Sequence, residues 1–249
     1  MRQEHKNIVR LKEVNSTNNY AYRLIMTDSA ADGTVVLAQY QTQGKGQQGA
    51  FWESDPGKNL LMSTIWFPSL LPAEQQFTIS KAVSLAITDF LLSETDEVTI
   101  KWPNDIYIGN QKIAGILIEN AVKGAYLHSS VIGIGLNLNQ TKFISDAPNP
   151  VSLKQITGLN YNIDEVLNQL LTLLDSWLGK ISKDETETID KQYLSRLFRF
   201  GKWAKFIEPG NNSFEAKIIG IGNFGQLQLQ LKDNSVKEYL FREVQYAIK

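Results

Sequence analysis

The spacing of apolar residues changes twice along this 249-residue chain, and that change limits its fold more than any other feature. Up to about residue 140, short β-branched segments alternate irregularly with amphipathic ones, which predicts a mixed α+β sheet. Residues 163–198 then carry apolar side chains on one helical stripe. After Gly201 the apolar residues alternate with period two, as in 226–231, which predicts half-buried strands. We therefore predict a larger domain at 1–199 and a small SH3-like β-barrel at 200–249.

Local signals place the individual elements. Strands are predicted at 8–14, 34–40, 60–66, 98–102, 106–108 and 113–119, and within 125–138. Helices are predicted from the cap-forming residues 15–18 to residue 28, from Pro72 onward, and within 163–198. Gly109 and Asn110 predict a tight turn between two of these strands.

Composition excludes several classes of protein. The 25 Lys and Arg residues nearly balance the 26 Asp and Glu residues, which argues against a protein that coats nucleic acid. The absence of cysteine excludes disulfides, thiolate metal sites and a cysteine nucleophile, and His5 and His128 alone exclude a multi-histidine metal site. Residues 1–7 show no secretory signal, and the longest apolar stretch, 60–71, is too short to span a bilayer. We expect a soluble cytoplasmic protein with neither nucleic acid nor membrane as a partner.

Two segments match the pattern G-x-G-x-x-G, at 44–49 and 220–225. A dinucleotide-binding fingerprint must follow a strand and open a helix, and neither segment does so. The segment at 220–225 leads into alternating Gln and Leu residues, so a hairpin turn is predicted there. The chain also lacks a Walker-type phosphate loop.

The glycine-rich segment 41–58 is a candidate binding loop. Its glycines allow backbone N–H groups to approach an anion closely, and Lys45 lies among them. Trp52 offers a flat surface on which a base can stack. A mobile loop without function is the alternative, although structureless loops of this length usually bind something.

A second candidate is the segment 101–105, Lys-Trp-Pro-Asn-Asp, followed by Lys112 in 112–115, Lys-Ile-Ala-Gly. Lys112 begins an apolar strand, so its ammonium group is expected to point into a cleft. The alternative is a β-turn with a surface lysine. A third candidate is 133–137, Gly-Ile-Gly-Leu-Asn, which is equally compatible with a strand that another backbone approaches closely.

Taken together, these segments resemble one family. Segments 15–18 (Asn-Ser-Thr-Asn), 41–52, 101–115 and 132–137 occur in the order and spacing seen in biotin–protein ligases. The resemblance is strong over about residues 8–140 and looser in the small barrel. It implies a mixed-sheet catalytic domain of the biotin/lipoate-ligase type, followed by an SH3-like barrel.

The resemblance also implies a reaction. ATP and biotin would be the substrates, with Mg²⁺ expected alongside ATP. Biotin would be adenylated and then transferred to a lysine of a biotin carboxyl carrier protein or domain. Since the first step brings two anions together, fixed cations and preorganised N–H donors are required. The acceptor's identity, the metal ligands and the oligomeric state do not follow from the resemblance.

The resemblance assigns roles to individual residues. Lys112, Lys45 and Asp105 would be the catalytic residues. Lys112 would contact the carboxylate and α-phosphate oxygens, Lys45 would lie at the biotin–adenylate end of the loop, and Asp105 would orient or deprotonate the acceptor lysine. Trp52 would stack on adenine. The substrate-binding set that the resemblance implies is Ser16, Thr17, Asn18 and Gln41 around the ureido ring, Gly44, Lys45, Gly46, Gln47 and Trp52 in the loop, Lys112 and Gly115, and Asn104 and Asn137 near ATP or its magnesium.

The chain departs from the family pattern in the loop. Where many members have Gly-Arg-Gly-Arg-Arg-Gly-Arg, this sequence has Lys45, Gln47, Gln48 and Ala50 in place of the four arginines. These changes remove guanidinium donors and bear on how tightly an adenylate is retained.

Two rival functions follow from the same resemblance. One is a lipoate or octanoate transferase of the same architecture, disfavoured by segment 101–105 and the glycine-rich loop. The other is a non-catalytic biotin-sensing DNA-binding regulator. It is disfavoured by the near-neutral charge and by the first predicted strand, which begins at Ile8 with no helix-turn-helix before it.

Overall fold

A computed structural model describes residues 7–145 and 149–247. The ends of the two predicted domains, 1–6 and 248–249, lie outside the described residues, as does His5.

A seven-stranded sheet forms the centre of the larger part of the molecule. Its strand order is β1-β2-β3-β7-β6-β5-β4, and only β1 and β2 pair in parallel. This confirms the predicted mixed sheet. The strands are β1 (Ile8–Val14), β2 (Val35–Gln41), β3 (Leu60–Trp66), β4 (Val98–Lys101), β5 (Asp105–Ile108), β6 (Gln111–Lys123) and β7 (Tyr126–Leu136).

Helices cover both faces of this sheet because its central strands are apolar on both sides. Val35 contributes to the larger core, whereas its neighbour Val36 packs with Ala21 of α1 on the opposite face. On the larger-core face, α2 packs against α4 and α5. The helices are α1 (Thr17–Met26), α2 (Phe77–Leu92), α3 (Leu153–Thr157), α4 (Ile163–Ser182) and α5 (Thr186–Ser195).

The C-terminal part forms a separate antiparallel sheet, as predicted. Its order is β11-β10-β9-β8-β12. The strands are β8 (Trp203–Glu208), β9 (Asn212–Ile221), β10 (Leu227–Gln230), β11 (Val236–Tyr239) and β12 (Gln245–Tyr246). The hairpin turn predicted at 220–225 is confirmed, because the chain reverses between β9 and β10.

The two sheets share one hydrophobic core cluster, which includes both Leu85 and Ala216. Trp102 donates its indole N–H to the carbonyl of Gly225 at 2.8 Å, and its ring lies 5.4 Å from that of Phe241. Segment 101–105 therefore packs directly against the C-terminal sheet. The boundary between residues 199 and 200 stays a prediction.

Two local expectations differ from the structure. The helix predicted from Pro72 begins at Phe77, after a 3-10 turn, Ala73–Gln75. The short helix α3 was not predicted, although Ser152 and Gln155 form a capping box at its start. Five residues are too few to show an apolar period. Among the described residues, no helix has the length and apolar character needed to cross a membrane.

Candidate active site

A cleft of about 210 Å³ lies between the glycine-rich segment and strands β6 and β7. Its walls contain every residue of the predicted site except Gly44 and Asn137. The predicted residues that line it are Ser16, Thr17, Asn18, Gln41, Lys45, Gly46, Gln47, Trp52, Asn104, Asp105, Lys112 and Gly115. The fold therefore brings together residues spread over a hundred positions of sequence.

The N-terminus of α1 forms one end of the cleft. Ser16 is the N-cap, but its side chain accepts no hydrogen bond from the first turn of the helix. The carboxamide oxygen of Gln41 accepts one instead. It accepts the backbone N–H of Thr17 at 2.7 Å and its hydroxyl at 3.1 Å. Gln41 thus satisfies an orphan donor at the helix start and joins β2 to α1.

Sequence reasoning missed Ser63, a fully buried residue of β3 that is outside the cleft walls but contacts two residues that line them, Thr17 and Asn18. Its hydroxyl lies 2.8 Å from Oγ1 of Thr17 and donates to the carboxamide oxygen of Asn18 at 2.6 Å. The available signal was a pair of hydroxyl residues, Ser63 and Thr64, inside an otherwise apolar strand.

The carboxamide of Asn18 is held on both sides. Its Nδ2 donates to the carbonyl of Leu117 at 3.2 Å and to the carboxylate of Glu119 at 2.7 Å. With both N–H groups used inside the protein, Asn18 can offer only acceptor capacity to a ligand. Gly133 is required beneath it, because a Cβ atom there would clash with the Asn18 side chain.

The glycine-rich segment folds back on itself through backbone contacts between its two halves. Gly44 accepts the backbone N–H of Trp52 at 2.9 Å, and Lys45 and Phe51 form an isolated antiparallel bridge. A Cβ atom at Gly44 would lie 2.5 Å from the carbonyl oxygen of Trp52, so glycine is needed for this close approach. The ammonium group of Lys45 donates to the side chain of Asn19 at 2.6 Å.

The indole ring of Trp52 packs on the floor of the cleft. A Cβ atom at Gly115 would lie 2.7 Å from this ring, and one at Gly135 would lie 2.4 Å from it. Two glycines on adjacent strands therefore create the flat backbone surface on which the indole lies. Its Nε1 is buried and has no hydrogen-bond partner among the described residues.

The carboxylate of Glu53 anchors the end of this segment. It accepts the backbone N–H groups of Ile144 at 2.9 Å and Ser145 at 2.8 Å. Burial raises the pKa of Glu53, but hydrogen bonds from Ser145, Ile144 and Gln140 outweigh it and hold the pKa below the ordinary value.

The opposite end of the cleft is charged. Lys112 and Asp105 form an ion pair at 2.7 Å, with side chains only 20% and 15% exposed. The ammonium group of Lys112 also lies 5.5 Å from the centre of the Trp52 ring. Its position in the cleft wall confirms the inward-pointing lysine that the sequence predicts. Asn104 donates to the carbonyl of Ile116 at 2.8 Å, which fixes the turn that carries Asp105.

Lys101 is a further charged residue at this end and was not among the predicted site residues. Its ammonium group lies 4.9 Å from the ring centre of Tyr107 and 5.5 Å from that of Tyr246. Burial lowers the pKa of Lys101, Asp105 raises it, and Lys112 lowers it. The three charges at this end are therefore within electrostatic range of one another.

Asn137 lies outside the cleft walls. It is 3% exposed and donates to the carbonyl of Val151 at 3.1 Å, while its carboxamide oxygen has no partner among the described residues. The described part of the chain contains no group of three His, Cys, Asp or Glu residues that would hold a metal ion. Asn104 and Asp105 carry side-chain oxygen atoms in the cleft wall at the charged end.

The two ends of the cleft differ in chemistry. One end is neutral and offers hydrogen bonds, and the other carries cations suited to anionic groups. The chain belongs to the biotin/lipoate A/B protein ligase family, whose model matches residues 11–137.

Individual relatives agree with this assignment. The chain is 33% identical over 243 residues to the bifunctional ligase/repressor BirA of Escherichia coli, covering 94% of this chain and 72% of that protein. It is 29% identical over 201 residues to the biotin–[acetyl-CoA-carboxylase] ligase of Paracoccus denitrificans, covering 77% of this chain and 81% of that enzyme. A solved biotin protein ligase from Aquifex aeolicus, in complex with biotin and ATP, is 26% identical with a TM-score of 0.78. That match covers 97% of this chain and all of the other.

Proposed function

We propose that this chain is a biotin–protein ligase. It adenylates biotin with ATP and transfers the biotinyl group to a lysine of a biotin carboxyl carrier protein or domain. The observation that carries the proposal is the cleft itself, which has a neutral hydrogen-bonding end, a charged end with Lys112 and Asp105, and between them a glycine floor on which the Trp52 ring lies. Biotin has the matching shape, since a polar ureido ring lies at one end and a carboxylate at the other.

In the first step, a carboxylate oxygen of biotin bonds to the α-phosphorus of ATP, and the bond to pyrophosphate breaks. The two reactants are both anions, so their repulsion must be offset by fixed cations. Lys112 is the cation already in the cleft wall, and Lys45 reaches the rim from the glycine-rich segment. These two lysines are the residues that we expect to stabilise the developing charge.

The neutral end suits the ureido ring, which has two N–H donors and one carbonyl acceptor. Asn18 offers acceptor capacity only, because its N–H groups are used by Leu117 and Glu119. Ser16 and Thr17 add hydroxyl groups beside it. A ring with N–H donors is therefore a better match to this end than an apolar acyl tail.

Trp52 is the residue that we expect to stack on adenine. For this it must leave the glycine floor on which its ring packs, so we expect nucleotide binding to be coupled to a rearrangement of the loop. Asn104, beside the charged end, is expected to contact ATP, and Asn137 to contact ATP or its magnesium.

Magnesium enters this reaction as part of the ATP substrate, held mainly by phosphates and water. Asp105 in the cleft wall and the unpartnered carboxamide oxygen of Asn137 are oxygen donors of the kind that Mg²⁺ prefers. The residues present therefore fit a metal that arrives with the nucleotide.

In the second step, the amine of the acceptor lysine attacks the acyl carbon of the adenylate, and AMP leaves. The attacking nitrogen must lose a proton, and Asp105 is the carboxylate nearest to this chemistry in the cleft wall. We assign Asp105 the role of orienting the acceptor amine or taking its proton.

An ATP–pyrophosphate exchange assay, run with biotin, with lipoate and with neither, tests the proposal. Exchange is expected with biotin alone, and a carrier domain should then gain one biotinyl group by mass spectrometry. Exchange that depends on lipoate would assign the chain to the lipoate branch of the same family, and no exchange with either acid would exclude both ligase activities.

A further inference from the structure

Strand pairing places three charged side chains on one face of the sheet, and only two of them have a role so far. In the β4–β5 hairpin Lys101 lies directly opposite Asp105, and in the β5–β6 pairing Lys112 lies opposite Tyr107. Asp105 and Tyr107 are two residues apart on β5 and so share a face. Lys101, Asp105 and Lys112 therefore form one cluster, in which Asp105 pairs with Lys112 and acts electrostatically on Lys101.

The carboxylate is paired with the lysine that the reaction needs. Asp105 lies 2.7 Å from the ammonium group of Lys112, and both side chains are largely buried. Before Lys112 can bind the carboxylate and phosphate oxygens of the substrates, this ion pair must loosen. A carboxylate left without a partner in such an environment is strongly unfavourable.

Lys101 is positioned to become the new partner of the Asp105 carboxylate. Its ammonium group is held between the rings of Tyr107 and Tyr246, and burial favours a paired charge there. Tyr246 belongs to β12 of the C-terminal sheet, so that sheet helps to fix the position of Lys101. The groups that face Lys101 are thus Asp105, Lys112 and the two tyrosines.

We propose that Asp105 changes partner during the reaction, from Lys112, with which it pairs in this structure, to Lys101 when Lys112 turns to the substrates. Lys101 is then a positioning residue, which acts through Asp105 and does not touch the reacting atoms. This inference rests on the proposed ligase function and extends it to a residue that the family resemblance left without a role.

The test is a double-mutant cycle on adenylate formation. Lys101→Met keeps the length of the side chain and its ring contacts but removes the charge. It is expected to slow single-turnover formation of biotinyl-adenylate by about tenfold, a coupling typical of charged groups in contact. The KM for biotin should change by less than about twofold, because the neutral end of the cleft is untouched.

The cycle is completed in the Asp105→Asn background, which should retain measurable adenylation because its amide no longer competes for Lys112. There Lys101→Met is expected to have almost no further effect. Lys101→Arg should restore most of the rate in the otherwise unchanged chain, since it keeps the charge. Together these results would support the exchange of partners.

Lys81→Met is the matched control for burial. Lys81 also pairs with a carboxylate, Asp190 at 2.7 Å, is only 10% exposed and lies near the ring of Phe77, but it lies on α2 away from the cleft. This variant should lower thermal stability without changing the adenylation rate.

Three results would overturn the inference. These are an unchanged rate in Lys101→Met, the same tenfold loss with and without Asp105→Asn, or loss of all adenylation in Asp105→Asn. A failure of the proposed function looks different, because the unaltered chain would then show no biotin-dependent exchange.

Discussion

The neutral end and the charged end of the cleft differ in how they are prepared for a ligand. At the neutral end, Ser63, Thr17 and Asn18 hold one another in a buried hydrogen-bond network that a ligand can enter without breaking it. At the charged end, Lys112 is already paired with Asp105, and that ion pair must open before substrate anions bind. The oxygen atoms of a hydrogen-bond network can still accept bonds from a ligand. In an ion pair, by contrast, each charge is already neutralised by its partner. The comparison indicates that the enzyme is preorganised for biotin's ring and must rearrange for its chemistry.

The largest effect is expected from Lys112→Ala, which removes the cation of the charged end. Loss of one charge partner in a closed site costs about 2–5 kcal/mol, so biotin-dependent pyrophosphate exchange should fall by about 30-fold to a few thousand-fold. Circular dichroism should show an intact fold. Lys232→Ala, at an exposed lysine of the C-terminal sheet, is the control and should exchange normally. Near-normal exchange in Lys112→Ala would remove the charged end from the mechanism.

Ser63→Ala tests the neutral end. Removal of this buried donor leaves the carboxamide of Asn18 less constrained and should weaken biotin binding by about tenfold, equivalent to about 1.4 kcal/mol. The KM for ATP should stay within about twofold, as measured by exchange kinetics at saturating biotin.

Ser84→Ala is the matched control, because Ser84 is also fully buried but its hydroxyl has no hydrogen-bond partner among the described residues. It should leave both KM values unchanged. Equal effects of Ser63→Ala on biotin and ATP would contradict the separation of the two ends.

Gln47→Arg tests whether the glycine-rich segment, between the two ends of the cleft, helps to retain the adenylate. Gln47 lines the cleft where many family members carry arginine, and its backbone carbonyl accepts a hydrogen bond from Arg242 at 3.4 Å. Hydrogen bonds to charged groups are worth roughly 1.5–3 kcal/mol against about 1 kcal/mol for neutral ones. We expect the arginine variant to release preformed biotinyl-adenylate about tenfold more slowly and to label bystander lysines less. Unchanged or faster release would show that retention depends on the loop backbone and Trp52.

The smallest effect concerns the anchor at Glu53, which follows Trp52 in the glycine-rich segment and bonds to the backbone of Ile144 and Ser145. The pKa of this carboxyl is below its ordinary value in the folded chain, so its contribution to stability is present above about pH 4.5 and is lost as the pH falls through the folded-state pKa. Limited proteolysis of segment 41–58 should therefore be faster at low pH, and Glu53→Gln should be cut a few-fold faster at neutral pH.

Biotinyl-adenylate should slow this cutting in the unaltered chain, since its contacts order the glycine-rich segment. Equal cutting with and without the adenylate would argue against closure of the segment on its ligand. Equal cutting of Glu53→Gln and the unaltered chain at neutral pH would show that the anchor does not hold the segment.

Much of the fold was accessible from local pattern. The strands of the central sheet were predicted to within a few residues because β-branched runs and turn residues mark them, and the stripe of α4 carries a strong helical period. Helix α3 was missed because five residues show no period. The start of α2 was misplaced because Pro72 is compatible with both a helix and the 3-10 turn that forms there.

The residues of the candidate site also fall into two groups, those that the sequence predicts and those that it does not. Residues within short motifs, such as Lys112 and Asp105, were predicted because several chemical groups are close in sequence. Ser63 and Lys101 were missed because the partners of each lie on elements that are distant in sequence. Ser63 meets α1 across the sheet, and Lys101 meets Tyr246 from the C-terminal sheet.

By itself, the sequence determined the element types, the glycine-rich segment and the family resemblance, because these depend on residue type and spacing along the chain. Only the tertiary structure decided that Asp105 pairs with Lys112, that Trp52 lies on Gly115 and Gly135, and that Asn18 has no free N–H group. The physical reason is that hydrogen bonds and ion pairs are satisfied across strands brought together by the sheet. Strand order and register, which no local pattern specifies, set those neighbours.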